Sequence, residues 1–138
     1  MSREIKFRAW LKDEKKMVKV SELRDIDIDI KSDQNVIYFD FEKQEYCCKG
    51  FDEVELMQYT GLKDKNGVKI FDGDIVKTTR IFKGKVLELI KYVEFKNGSF
   101  LLKSLQEESP MYLYKEFELE VIGNIWEHEH LLGEQNDS

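Results

Sequence analysis

Proline is almost missing from this chain: Pro110 is the only one in 138 residues. With no Pro/Gly/Ser-rich stretch anywhere, nothing reads as a long flexible linker or a stiff spacer between parts. Cysteine is nearly as scarce, with two residues that are neighbours, Cys47 and Cys48. Adjacent cysteines close no useful loop and would strain a mutual disulfide, so the chain is not a disulfide scaffold. A vicinal redox switch is the sharper reading of the pair, and two ordinary thiols the plainer one. No Cys-x-x-Cys occurs, which argues against structural zinc. Apolar runs never exceed a few residues, so no segment reads as a bilayer-spanning helix. The start, MSREIKFRAW, is charged and lacks the apolar core of a signal peptide. The expected compartment is therefore the cytosol of the host cell, with no membrane partner.

What is present suits one packed domain or two small lobes sharing a core. Hydrophobic residues make up 41% of the chain, including nine Phe, six Tyr and two Trp, which is enough for an interior at this length. The net charge of −6 hides a segmented pattern. Residues 1–21 carry seven basic and three acidic side chains, and residues 22–56 carry four and eleven. Residues 57–103 carry ten and five, and residues 104–138 carry one and nine. Alternating basic and acidic blocks read either as solvated faces that compensate one another on folding or as complementary surfaces between copies.

Period two dominates the hydrophobic pattern. Ile5, Phe7 and Ala9 alternate with Glu4, Lys6 and Arg8, which predicts a half-buried strand, and MVKV at 17–20 its returning partner. Ile26, Ile28 and Ile30 alternate strictly with Asp25, Asp27 and Asp29, and VIYFDF at 36–41 completes the expected hairpin across the SDQN turn. The stretch 42–54 has no clear period and is expected as loop or a short helix. Strand character resumes at ELMQY (55–59), followed by a turn-dense TGLKDKNG in which Gly61 and the Asn66–Gly67 pair are the strongest turn signals. Gly73 and Asp74 form a second tight turn that opens the strand DIVKTTR. Strands are then expected at 85–95, 99–104 and 116–125, with a bend at Gly123. Lys91 interrupts the apolar face of the long strand, which predicts a bulge or a solvent-exposed end there. The tail WEHEHLLGEQNDS is expected to form one helical turn.

Three blocks stand in order along the chain: REIKFRAW, ELMQYTGLKDKNGVKIFDGDIVK and EVIGNIWE with the following LL. Together they resemble the YopX family of phage and prophage proteins from low-GC Gram-positive bacteria. The chain departs from the family pattern at Leu11 and at His128 and His130. The resemblance spans nearly the whole chain. It implies a mostly β fold in which the part after the central block forms an SH3-type barrel, together with phage biology and no established activity. The expected architecture is mainly β with little helix: a small antiparallel meander lobe over residues 1–54, packed on an SH3-like barrel with a C-terminal tail over residues 55–138.

Candidate chemistry is thin. Asp25, Asp27 and Asp29 point to one side of a strand and could gather a hard cation, but calcium loops need a curved backbone, so they read as the polar face of an amphipathic strand. The spacing in DKNGVKIFDGD evokes a calcium loop, yet its twelfth position is Ile75 rather than Glu. His128 and His130 supply two imidazoles with no third ligand in register. No nucleophile–base pair and no phosphate-binding glycine pattern is present, so the reading is a non-enzyme with no metal and no cofactor. The leading expectation is an accessory protein that self-associates as a homo-oligomer or binds a host or phage protein, with Trp126, Leu131 and Leu132 as interface candidates. The alternative is a nucleic-acid-binding barrel using the basic segment 63–91, above all Lys77, Arg80, Lys83 and Lys85, with Phe71, Phe82 and Tyr92 as interleaved aromatics that could stack on bases. Gly61, Asn66, Gly67, Gly73 and Asp74 are assigned to turns.

Overall fold

The computed structural model describes residues 4–24, 33–105, 111–113 and 118–133. The expected strand and candidate cation site at Asp25, Asp27 and Asp29 lie outside the described residues. The fold is mostly β, and the chain divides into two compact units, Met1–Gln58 and Tyr59–Ser138.

The first unit holds β1 (Phe7–Leu11), β2 (Lys16–Leu23), β3 (Val36–Asp40), β4 (Glu45–Lys49), a single 3-10 turn (Phe51–Glu53) and the start of β5 (Val54–Lys63). Its strands lie in the order β4-β3-β2-β1-β5, all neighbours antiparallel. Alternation along each strand sends one set of side chains inward. Ala9, Leu11, Val36, Tyr38 and Val54 form the buried core, with Val18, Val20, Cys47, Phe51 and Leu56 packed against it. Burying a valine or leucine side chain fully contributes about 1.5–3 kcal/mol. Strand β4 corrects the expectation of loop or a short helix over 42–54 at residues 45–49, while the turn at 42–44 and the 3-10 turn Phe51–Glu53 agree with it. Gln44, at φ 56°, closes the turn after Asp40, and the Asp40 carboxylate accepts the N–H groups of Glu42 and Lys43 at 2.9 and 3.1 Å. The chain therefore reverses at once and pairs Glu45–Lys49 with β3.

Strand β5 runs through the boundary between the units. Its residues up to Gln58 pair with β1, whereas Tyr59 and Lys63 pair with β6 (Lys69–Phe71). Gly61 was expected in a turn and instead lies inside β5, at φ +90°, where the register with β6 shifts. The reason is an irregularity of two extra residues, since β5 advances four positions from Tyr59 to Lys63 while β6 advances two from Phe71 to Lys69. The chain takes a positive φ there, and glycine supplies it without a steric penalty. The reversal falls later, at 64–67, where the Gly67 N–H donates to the Asp64 carbonyl at 3.0 Å.

In the second unit β7 (Asp74–Phe82), β8 (Lys85–Lys96), β9 (Ser99–Lys103) and β10 (Met111–Tyr112) form an antiparallel meander, and β11 (Leu119–Asn124) returns beside β7. Two-residue turns join β7 to β8 and β8 to β9. Lys83–Gly84 and Asn97–Gly98 both have positive φ at both positions, the geometry whose twist matches that of the flanking strands. The core is Ile70, Val76, Val93, Leu102 and Leu119. Lys91 corrects the expectation of a bulge or an exposed end: it is wholly buried and pairs with Val76 in unbroken register. A register shift between Val121 and Gly123 bends β11 near its end. The single helical turn α1 (His130–Gly133) then packs against β8.

Candidate protein-binding surface

The alternation that fills the first unit's core leaves the opposite face of β3 and β4 apolar. With Val36, Tyr38 and Asp40 inward, Ile37 and Phe39 point out, and their cross-strand partners are Cys48 and Tyr46. The Phe39 ring meets Tyr46 edge-on at 5.1 Å and Phe41 edge-on at 4.9 Å. Such ring pairs add about 0.5–1.5 kcal/mol each beyond area burial. Yet Phe41 remains 76% exposed and Tyr46 68% exposed, so the cluster spends much of its apolar area on solvent. A groove of about 460 Å³ adjoins it, lined by Met17, Lys19 and Ser21 of β2 and by Phe39, Phe41 and Glu42. Strand β4 ends the sheet, and among the described residues no strand pairs with its outer edge. Three exposed or half-exposed aromatics beside an open strand edge form a surface suited to protein contact.

The inward face beneath is polar at one end and occupied by its own partners. Lys16 Nζ donates to Asp40 at 3.1 Å and lies 3.5 Å from Glu14, and Lys49 Nζ donates to Asp13 at 2.7 Å. The Lys43 N–H, working against burial and aided by Lys16, holds the Asp40 carboxyl below its ordinary range. The Asp13 bond raises Lys49 above the usual ammonium value, against burial. Burial, with Glu14 beside it, pushes the Tyr38 hydroxyl up. These groups lock the β1–β2 and β3–β4 turns and present no poised acid or base.

The residues expected to bind fare unevenly. Leu132 is corrected as an interface candidate: it is 6% exposed, because α1 folds back and packs against β8. Trp126 and Leu131 are half-buried. The turn before α1 is built by Asn124, whose side-chain oxygen accepts the N–H groups of Trp126 and Glu127, while the Asn124 N–H donates to His128 Nδ1 at 3.1 Å. In the basic segment, Lys83 and Lys85 are exposed, and the Arg80 and Phe82 side chains lie outside the described residues. Lys77 sits 3.7 Å from Glu120 and 4.0 Å from Glu88, Lys69 lies over the Tyr59 ring, and Lys91 is buried. Phe71 packs on Tyr59 at 5.6 Å. The positive strip is thus broken by carboxylates and by burial.

Asp64 is the residue that sequence reasoning missed as more than a turn letter. One of its oxygens accepts the N–H groups of Asn66 and Val68, and the other accepts the N–H of Val121, 57 residues away, at 2.9 Å. Burial raises its carboxyl, but these three donors outweigh it and hold the group below its ordinary value. Three of its roughly four lone-pair sites are taken by backbone N–H groups, which gives the carboxylate a structural role in the turn. Asp74 is spent likewise: 2% exposed, it accepts the Phe71 N–H at 2.8 Å, while the Gly73 N–H donates to the Val93 carbonyl. Among the described residues, no group of three or more His, Cys, Asp or Glu side chains is arranged to hold a metal. Nor is any described helix long and apolar enough to cross a membrane.

Comparison with known proteins agrees with the strand architecture. The crystal structure of protein EF1440 from Enterococcus faecalis superposes with a TM-score of 0.59 at 28% identity, covering 95% of this chain and 99% of that one. No curated protein matches the chain. The family model described as YopX protein matches residues 6–133, almost the full length. The chain belongs to the YopX family.

Proposed function

We propose that this YopX-family chain is a non-enzymatic phage or prophage accessory protein that acts in the host cytosol by binding protein, its first partner being a second copy of itself. The observation that carries this reading is the exposed Phe39–Phe41–Tyr46 cluster beside the open edge of β4. Leaving two aromatic rings about 70% in water is costly for a lone chain, and burial against a neighbour recovers that area. The free, adjacent thiols Cys47 and Cys48 suit a reducing compartment. For residues 55–138 we propose an SH3-type barrel. Its support is the strand order β10-β9-β8-β7-β11, in which the last strand returns beside the first of the meander. Sedimentation velocity over a concentration series tests the reading. The expected result is a species of twice the 16.4 kDa chain mass that gains population with concentration. A monomer throughout would overturn it.

A further inference from the structure

The outer edge of β4, unpaired among the described residues, is self-complementary. We infer that two copies pair antiparallel along β4, centred on Cys47, so that the sheet of one continues into the other. This rests on the self-association proposed above and specifies its register. A twofold axis perpendicular to a sheet keeps outward residues opposite outward ones, so the axis must lie midway between one residue of β4 and the same residue of the second copy. The strand is only Glu45–Lys49, bounded by Gln44 at positive φ and by the buried Gly50. Centring on Cys47 pairs all five residues, whereas centring on Tyr46 or Cys48 pairs three.

That register also matches the chemistry. Glu45 comes opposite Lys49 of the second copy, twice by symmetry, and opposite charges face each other at both ends. Lys49 gives one donor to Asp13 and lies 3.5 Å from Glu14, and an ammonium carries three. On the outward face, Tyr46 comes opposite Cys48 of the second copy. The apolar pairs already present within each chain, Phe39 with Tyr46 and Ile37 with Cys48, then join into one stripe across four strands. The exposed Tyr46 ring is covered by that stripe.

The register makes a prediction that random collision does not. Directly opposed Cβ atoms lie about 4.5–5.5 Å apart, near the roughly 3.5–4.5 Å that a disulfide spans. Cys47 would therefore face Cys47 of the second copy. The more exposed thiol, Cys48, would be diagonal to its counterpart at roughly 7–8 Å, too far for a bond. The test treats wild type, Cys47→Ser and Cys48→Ser with diamide at about 100 µM chain, since a short edge makes a small interface, and reads disulfide dimers on a non-reducing gel. Wild type and Cys48→Ser should cross-link, and Cys47→Ser should not. Because Cys47 packs against the core, Glu45→Lys gives an independent reading. Within its own chain that lysine would lie opposite Asp40, which keeps the hairpin satisfied, but across the interface it would meet Lys49. Dimer affinity in sedimentation should fall roughly tenfold. Cross-linking through Cys48 alone, or a sedimenting dimer with no cross-link and no response to Glu45→Lys, overturns the register while self-association stands. A wild-type monomer in sedimentation overturns both.

Discussion

Single residues whose polar atoms all point at backbone hold the second unit together. Asp64 ties the 64–68 turn to β11 through three accepted N–H bonds. Asp64→Ala would strand those donors in a site where the residue is 8% exposed, so we expect a loss of about 3 kcal/mol, read from urea unfolding. The same carboxyl, with Asp40, sets the acid limb of stability. Both have folded values held below the ordinary 3.8, so the folded state binds fewer protons than the unfolded one. Their contribution is complete above about pH 4 and is lost as pH falls through the folded values. Urea midpoints measured from neutral to acid pH should decline below that point, and less steeply in Asp64→Asn. Gly123 gives a steric counterpart. A Cβ there would lie 2.7 Å from the His128 ring. Gly123→Ala should therefore cost roughly 1–3 kcal/mol in the wild type and clearly less in a His128→Ala background.

Among the elements, the hairpin of β7 and β8 carries a visible compromise. Lys83 holds φ 51°, a region that costs a non-glycine residue about 1–2 kcal/mol and that asparagine tolerates far better. Asn97 occupies the matching place in the next turn. Lys83→Asn should raise the urea midpoint, a gain of up to about 1 kcal/mol. It also removes one exposed cation of the basic segment. On the nucleic-acid reading, that change would weaken binding at low salt. Strand β4 shows the opposite case, a short edge whose outward residues are Tyr46 and Cys48 where many sheets place lysine or proline. Tyr46→Lys would put a charge into that face, and we expect it to abolish concentration-dependent dimerisation while leaving the fold, monitored by circular dichroism, unchanged.

For the whole molecule, charge decides between partners. A net charge of −6 opposes long-range attraction to a polyanion, and the basic strip is interrupted at Lys77 and Lys91. Fluorescence anisotropy with single- and double-stranded DNA at low salt should show no binding. Binding that appears there and fades steeply as salt rises would instead favour the basic segment. Ion pairs join a basic block to the acidic block that follows it, Lys16 with Asp40 in the first unit and Lys77 with Glu120 in the second, so part of the alternation is compensated within each unit.

Among the described residues, strands that alternate and are bounded by strong turn residues were legible from the chain alone. That holds for β1 and for the meander β7 to β9, because period two and positive-φ turns are local properties. The family was legible for the same reason, since its blocks are contiguous. Tertiary structure alone decided three things. Strand β4 became visible only once β3 supplied its partner, because Tyr46 and Cys48 face out while Cys47 and Lys49 are held by groups far away in sequence. Lys91 and Leu132 were assigned to the surface or an interface by their neighbours in sequence, and neighbours in space buried them. Asp64 gained its meaning from Val121, 57 residues on. Turn type and strand period are set over a few residues, whereas burial, edge exposure and the destination of a carboxylate depend on which distant strand arrives alongside.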